Sequence, residues 1–291
     1  MTEKNGLSSN IQLVKVTIII ATKDITTEPF TRCLKAIRDF TKGEYRIVVV
    51  ETHFSSFFNH STAMNIGLRG TRDSDYFVLM NDDLFVTTGW LETLIKTAEA
   101  NEKIGAVGCL HLYSNREREG MVQYAGGYID TSRGLVAQAR VEHRYHFEKV
   151  TKEIMDEEWD VPFLTGSLIL IKRKCLENVG LWDEEKFGFN FNDVDWSFRA
   201  ILKGWRLIYT SKALVYHFEG NSILKIPEPI WRDYLKQTIL SATRKWTKER
   251  MNEVKAIVDK YNLEHRGKLP PNRTPEEVRD EKWYRTYRYP C

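Results

Sequence analysis

The chain has 291 residues, of which 42% are hydrophobic and 29% are charged. These proportions are ordinary for a soluble globular protein, and they exclude a chain that is disordered over most of its length. The net charge of +3 is too small to define a partner by itself. The length allows one large domain or two modest ones.

The sequence predicts neither a signal peptide nor a membrane span. The first six residues are polar, and the apolar run 16–21 is far shorter than the roughly 20 residues that a spanning helix needs. We therefore expect a cytoplasmic protein, with peripheral binding at the inner face of the membrane as an option. The four cysteines are widely separated, which excludes a local zinc or redox motif and argues against a disulfide framework.

Strand-like and helix-like segments alternate over the first 110 residues. Runs rich in β-branched residues predict buried strands, and apolar residues at helical spacing predict the helices between them. The predicted strands are 14–20, 46–50, 76–80 and 104–110, and the predicted helices are 31–40, 61–69 and 90–100. This alternation indicates an α/β fold in which helices flank a mostly parallel central sheet.

The second half of the chain is less regular. Periodicity is weak from Tyr113 to Asp160, with some β character at 122–129, and long irregular segments often form binding loops. Later segments predict strands at 168–171, 206–209 and 214–217, a helix from Asp195 to Leu202, and helical structure from Pro229 to Tyr261. From residue 225 onward there are 16 Lys and Arg residues against 10 Asp and Glu, so this helical extension is mildly basic.

Polar side chains follow the first three predicted strands. Thr22 and Asp24 follow the first strand, Glu51 the second, and Asn81-Asp82-Asp83 the third. Ligands bind outside the carboxyl ends of the strands in such sheets, so we expect these residues to converge on one crevice. Two adjacent acids there could hold a divalent cation together with substrate phosphates. The alternative is an acidic turn or helix cap, which Asn and Asp also favour.

A second group of acids lies near residue 193. Asp193 and Asp195 begin a predicted helix and follow an aromatic segment, 187–191, whose apolar surroundings could raise a carboxylate pKa toward that of a useful base. Helix capping is the alternative reading. His217 ends the last predicted strand, where it is either a structural histidine or a metal ligand.

In this order the motifs resemble those of glycosyltransferase family 2, over roughly residues 14–222. The most specific segments are Gly180-Leu181-Trp182-Asp183-Glu184, Asn192-Asp193-Val194-Asp195, Gly204-Trp205-Arg206 and His217, and many members are also similar at Gln123-Tyr124-Ala125-Gly126-Gly127. The resemblance implies a GT-A fold, which is Rossmann-like. It divides the chain into a nucleotide-sugar-binding half (12–110), an acceptor-binding and catalytic half (111–222) and a basic helical extension (223–291).

The resemblance also implies roles for individual residues. Asp193 matches the catalytic base, with Asp195 as the alternative. The matches to nucleotide-binding positions are Thr22, Asp24, Glu51, Asn65, Asn81 and Asp82. Asp83 and His217 match ligands of a divalent metal, Mn²⁺ or Mg²⁺. The resemblance further implies that Gly166, Trp182 and Asp195 bind the acceptor or support the site.

Three residues depart from the family pattern. Asn81 replaces the first acid of the Asp-x-Asp metal motif, which leaves fewer charges on the metal. Asn192 replaces the first acid of the Glu-Asp pair, so Asp193 loses a like-charged neighbour that could have raised its pKa. Met64 stands where many members carry Arg, in the region that contacts the pyrophosphate.

The resemblance implies an inverting transferase that moves a sugar from a nucleoside-diphosphate sugar, UDP-sugars being favoured, to a saccharide or lipid-linked acceptor. Three alternatives stay open: a transferase acting on modified DNA bases, a sugar-nucleotide nucleotidyltransferase, and a non-catalytic nucleotide-sugar-binding protein. The basic extension could contact an anionic membrane or, less readily, nucleic acid. Nucleotidyltransferases usually carry a Gly-rich loop after the first strand, and segment 21–26 has no glycine.

Overall fold

The computed structural model describes residues 15–52, 59–71, 73–115, 118–130, 141–218 and 227–271. The strands in this part of the chain are β1 (Val16–Thr22), β2 (Tyr45–Glu51), β3 (Tyr76–Asn81), β4 (Leu84–Val86), β5 (Ile104–Tyr113), β6 (Val122–Tyr124), β7 (Gly127–Ile129), β8 (Val141–His143), β9 (Glu158–Asp160), β10 (Leu168–Lys172) and β11 (Arg206–His217). The helices are α1 (Glu28–Phe40), α2 (His60–Gly70), α3 (Trp90–Glu99), α4 (Arg173–Val179), α5 (Asn192–Leu202), α6 (Glu228–Lys245) and α7 (Lys248–Arg266).

The central sheet has the strand order β2-β1-β3-β10-β5-β11-β4, with β6 added beside β5 and β9 beside β11. Strands β2, β1 and β3 are parallel, as are β5 and β11, whereas β10 runs antiparallel to both β3 and β5. The predicted α/β fold with a mostly parallel sheet is therefore confirmed. Strands β7 and β8 form a separate two-stranded sheet.

Both faces of the sheet are covered, because adjacent residues of β1 pack into different clusters. Ile18 and Ile20 lie in a cluster with α1 and α3, while Ile19 and Ala21 lie in a second cluster with α2, α5 and α7. All four side chains are nearly inaccessible to solvent. A sheet buried on both faces explains the continuous apolar runs of its strands.

Helix α2 packs closely on β1 at Gly67. A Cβ added there would lie 2.4 Å from the Cγ2 methyl group of Ile19. We expect Gly67→Ala to lower the free energy of unfolding by about 1–3 kcal/mol through overpacking, although alanine favours helices. The control is Gly70→Ala in the same helix, where an added Cβ meets nothing within 4 Å. Denaturant unfolding measures both variants, and equal stabilities would contradict this packing.

The structure corrects some predicted elements. The segment 46–50 was predicted as a buried strand, but β2 is at the edge of the described sheet and only Val50 is buried. Segments 206–209 and 214–217 belong to one strand, β11, which is irregular between Thr210 and Leu214. Its apolar pattern is interrupted there by polar residues, which made one strand look like two.

The predicted helical segment 229–261 consists of two helices. Helix α6 ends at Lys245, and Thr247 caps α7 by accepting a hydrogen bond from the Arg250 N–H. Within the described residues, no helix is both long and apolar enough to cross a membrane. Residue 14 of the first predicted strand and residues 272–291 of the basic extension lie outside the described part of the chain.

Candidate functional site

The polar residues that follow β1, β2 and β3 meet at the carboxyl ends of these strands. The Thr22 hydroxyl donates a hydrogen bond to Asp82 Oδ2 at 2.5 Å, which joins the end of β1 to the turn after β3. The backbone N–H of Ile25 donates to Glu51 Oε1 at 3.2 Å, which joins the same loop to the end of β2. The predicted convergence of the residues that follow these three strands is therefore observed.

Asp82 and Asp83 form a charged turn between β3 and β4. Burial, together with the adjacent Asp83 carboxylate, raises the pKa of Asp82 to about 6, even though the Thr22 hydroxyl acts in the opposite direction. Two neighbouring carboxylates in a partly buried turn repel each other. A bound cation would relieve this repulsion.

The Asp83 carboxylate faces His217, whose ring is held by Gln123. Gln123 Oε1 lies 2.7 Å from His217 Nδ1, and His217 Nε2 lies 3.0 Å from Asp83 Oδ1. If His217 Nδ1–H donates to Gln123 Oε1, a neutral imidazole presents its Nε2 lone pair to Asp83 Oδ1. This oxygen accepts no hydrogen bond from the described residues. Two facing acceptors need either a second proton on His217 or a cation.

The chemistry of this pair fits a hard divalent metal. Mg²⁺ binds its octahedral ligands at about 2.1 Å, so neighbouring ligand atoms lie about 3 Å apart, as the two atoms do here. Within the described residues, no group of three or more His, Cys, Asp and Glu side chains could hold a metal. Asp83 and His217 would thus need substrate phosphates and water to complete a coordination shell.

Asp193 lies in the first turn of α5, where both carboxylate oxygens accept backbone hydrogen bonds. Oδ2 accepts from the Gly166 N–H and Oδ1 from the Val194 N–H, each at 2.8 Å. Burial raises the pKa of Asp193 above its ordinary value, and these two hydrogen bonds only partly offset that effect. A positioned carboxylate with a raised pKa can act as a general base.

Asp195 is placed differently, although it lies only two residues further along α5. It is completely buried; Oδ2 accepts from Arg199 Nε at 2.9 Å, and Oδ1 accepts from Lys245 Nζ and Trp246 Nε1. With both oxygens occupied and no access to solvent, Asp195 ties α5 to the end of α6. This geometry favours Asp193 over Asp195 as the base.

We expect Asp195→Ala to lower the free energy of unfolding by about 3 kcal/mol, because it leaves the buried Trp246 indole N–H without its acceptor and removes the buried carboxylate that pairs with Arg199 and Lys245. The control is Asp183→Ala, which removes the other, more exposed partner of Lys245, 3.2 Å away. Urea unfolding followed by circular dichroism measures both losses. If Asp183→Ala costs as much as Asp195→Ala, Asp195 is not the anchor.

Gly166 packs closely against both Trp182 and Asp193. A Cβ on Gly166 would lie 3.1 Å from the Trp182 ring and 3.2 Å from Asp193 Cβ, so glycine allows the close approach. Trp182 is almost fully buried, and its indole N–H has no hydrogen-bond partner among the described residues. Gly166 therefore lies between the Trp182 ring and the candidate base.

Asn65 and Asp24 both make hydrogen bonds that shape loops near the strand ends. Asn65 is fully buried; its amide donates to the Trp182 carbonyl and accepts from the Trp182 N–H, so it holds the loop after α4. Asp24 Oδ1 accepts from both the backbone N–H and the hydroxyl of Thr26, which shapes its own turn. The amide of Asn65 is thus occupied inside the protein, whereas Asp24 shapes an exposed turn after β1.

Several residues that hold the site were not predicted as its members. His60 contacts both Asn81 and Asn192, and Gln123 orients His217. The Tyr234 hydroxyl oxygen accepts hydrogen bonds from the backbone N–H groups of Phe189 and Asn190, just before α5. A family motif could have pointed to Gln123. Nothing local in the sequence marks His60 or Tyr234, because their partners are distant in the chain.

A family model described as "Glycosyltransferase like family 2" matches residues 11–238. A curated relative, the uncharacterized protein y4gI of Sinorhizobium fredii (strain NBRC 101917 / NGR234), is 24% identical over 194 residues, which are 65% of this chain and 20% of that protein. The chain therefore spans about a fifth of the length of the curated relative that it matches.

Two solved structures are similar over most of this chain. GalNAc-T7, crystallised with UDP, GalNAc and Mn²⁺, has a TM-score of 0.58 and 14% identity, covering 94% of this chain and 55% of that one. The mannosyltransferase PcManGT from Pyrobaculum calidifontis, in complex with GDP-Man and Mn²⁺, has a TM-score of 0.50 and 15% identity, covering 88% and 76%. At these identities the likeness shows the fold alone, which is the GT-A fold predicted from the motifs. Since the family model also covers well over half of the chain, the protein belongs to the glycosyltransferase family 2-like proteins.

Proposed function

We propose that this protein is an inverting, metal-dependent glycosyltransferase. It takes a sugar from a nucleoside-diphosphate sugar, with UDP-sugars favoured, and places it on an acceptor hydroxyl. The observation that carries the proposal is the Asp83–His217 pair, in which Asp83 Oδ1 and His217 Nε2 lie 3.0 Å apart at the same end of the sheet as the nucleotide-side residues. A carboxylate suited to general base catalysis, Asp193, is held next to the same loop, 165–167, that contacts Asn81.

On the donor side, Glu51 and Thr22 form the proposed nucleotide pocket. Asn81 and Asp82, at the end of β3, lie next to Thr22 and complete it. A divalent metal, Mn²⁺ or Mg²⁺, would neutralise the charge that develops on the departing diphosphate. Asp83 and His217 would hold this ion, and Gln123 fixes the His217 tautomer that leaves Nε2 available. The two similar structures, which contain Mn²⁺ with UDP or GDP-Man, support this donor chemistry.

On the acceptor side, Asp193 removes the proton of the attacking hydroxyl. Its carboxylate is oriented by two backbone N–H groups, which keep it ready to accept that proton as the hydroxyl oxygen attacks the anomeric carbon. We propose a saccharide or a lipid-linked glycan as the acceptor, in keeping with the membership of the chain in the glycosyltransferase family 2-like proteins.

The test is a transfer assay with Mn²⁺, a panel of UDP- and GDP-sugars, and saccharide and lipid-linked acceptors. We expect transfer from one donor, with a product of inverted anomeric configuration by NMR. Pyrophosphate release from a nucleoside triphosphate and a sugar phosphate would instead identify a nucleotidyltransferase. Donor binding with neither transfer nor hydrolysis across the panel would identify a binding protein and contradict the proposal.

A further inference from the structure

One buried histidine connects the two sides of the candidate site. His60 Nε2 lies 3.1 Å from Asn81 Oδ1, and His60 Nδ1 lies 3.2 Å from Asn192 Nδ2. Its side chain is almost entirely buried at the start of α2. The two asparagines are the same residues that replace acids in the metal and base motifs, so both of these replacements contact a single imidazole.

The direction of these hydrogen bonds follows from the Asn192 amide. The backbone N–H of Asp193 donates to Asn192 Oδ1 at 3.0 Å, which turns the amide nitrogen toward His60. Because that nitrogen can only donate, His60 Nδ1 must accept. The proton of the neutral ring then lies on Nε2 and is donated to Asn81 Oδ1. Burial, which lowers the pKa of His60 to about 4, agrees with a neutral ring.

The chain of hydrogen bonds closes on itself through the loop before β10. The Gly166 N–H donates to Asp193 Oδ2 at 2.8 Å, and the Asn81 N–H donates to the carbonyl of the adjacent Ser167 at 2.8 Å. The result is a hydrogen-bonded ring through α2, the end of β3, loop 165–167 and α5. The ring consists of His60, Asn81, Ser167, Gly166, Asp193 and Asn192.

Asparagine at both positions suits a neutral histidine between them. A carboxylate at position 81 would favour the doubly protonated imidazolium, which has no lone pair left for the Asn192 amide. A carboxylate at position 192 would have no N–H to donate to His60 Nδ1. The ring therefore needs neutral side chains on both sides of His60.

We propose that His60 is a positioning residue. It closes the hydrogen-bonded ring and thereby fixes the position of Asp193 relative to the Asn81-Asp82-Asp83 turn. The inference rests on the proposed function, in which these two elements serve the acceptor and the departing diphosphate. A catalytic group that is misplaced by about 1 Å can lose about 100-fold in rate. We therefore expect the hydrogen-bonded ring, which fixes the position of Asp193, to affect kcat more than substrate binding.

The first experiment compares kcat and donor KM for His60→Phe and His60→Gln. Phenylalanine keeps an aromatic side chain beside Trp182 but makes no hydrogen bond, whereas glutamine keeps a donor and an acceptor group. We expect His60→Phe to lower kcat at least tenfold with donor KM changed less than threefold, and His60→Gln to recover part of the loss. The control is Asn262→Ala, which removes two buried hydrogen bonds to Asp160 far along the chain from the ring. We expect it to lower the melting temperature but not kcat.

Asn81→Asp provides a second test with a nearly isosteric change. We expect it to lower kcat severalfold, although it restores the acid of the family motif, because a carboxylate at this position favours the imidazolium, which cannot accept from the Asn192 amide. An increase in kcat would overturn the inference. So would an unchanged kcat in His60→Phe while the wild type transfers sugar. No transfer by the wild type would overturn the proposed function, and this inference with it.

A measurement on the wild-type protein tests the hydrogen-bonded ring without an activity assay. In ¹⁵N NMR of histidine-labelled protein, with the His60 signals assigned from the His60→Phe spectrum, we expect Nε2 to carry the proton and Nδ1 to be unprotonated. The signals should shift toward those of a rotating, solvent-averaged ring in Asn192→Ala. The opposite tautomer, or a mixture of both, would overturn the hydrogen-bond directions on which the inference rests.

Discussion

Asp193→Asn should abolish most of the transfer activity while leaving donor binding nearly intact. General base catalysis contributes about 10²–10⁴ in rate, so we expect kcat to fall by about 10³-fold. The amide cannot take the acceptor proton, but it preserves the size of a side chain that packs against Gly166. Stopped-time product assays measure kcat, and calorimetry with the nucleoside diphosphate measures donor affinity.

The pH dependence gives an independent check of this base. Asp193 acts as a carboxylate, so activity is present above its pKa and is lost as the pH falls through it. Because burial raises this pKa, the loss should begin at a higher pH than for an ordinary aspartate. Normal turnover in Asp193→Asn would show that another group is the base.

Asp83→Ala should be the second most damaging change, because it removes the carboxylate of the proposed metal pair. We expect kcat/KM to fall by about 10²–10³-fold, since metal stabilisation of the departing charge is worth several kcal/mol. Chelation with EDTA should abolish wild-type transfer, and added Mn²⁺ should restore it. The free Mn²⁺ signal in electron paramagnetic resonance, recorded with UDP present, measures metal affinity directly.

The neighbouring Gln123 supplies a graded comparison for this prediction. Gln123→Ala leaves Asp83 and His217 in place but removes the group 2.7 Å from His217 Nδ1. Loss of such an orienting partner typically costs about 10–100-fold in metal affinity, so this variant should lie between the wild type and Asp83→Ala. Full activity of Asp83→Ala in the presence of EDTA would refute metal dependence.

The sequence predicted the framework of the site well, because strands buried on both faces have a strong apolar pattern. The predicted strands that became β1, β3 and β5 lie in the sheet, and Thr22 meets Asp82 at their carboxyl ends. Strand β2 was harder to predict, since its apolar run has the same pattern whether it lies in the middle of the sheet or at its edge. Only the three-dimensional arrangement reveals that difference.

The two acids of α5 could not be distinguished from sequence for a related reason. Asp193 and Asp195 both lie in the first turn of one helix, where local rules treat them alike. Lys245 and Trp246, about 50 residues later, bury Asp195 and occupy its oxygens. The contacts of His60 span 21 and 132 residues, so no local pattern could predict them either.

The most direct test of the central claim is a crystal structure of the protein with Mn²⁺ and UDP. We predict one Mn²⁺ ion bound by Asp83 and His217, with diphosphate oxygens completing its coordination, and the uracil base near Glu51. Asp193 should lie across the same crevice with its hydrogen bond to the Gly166 N–H intact. UDP bound elsewhere, or Mn²⁺ bound away from a still-paired Asp83 and His217, would contradict the claim.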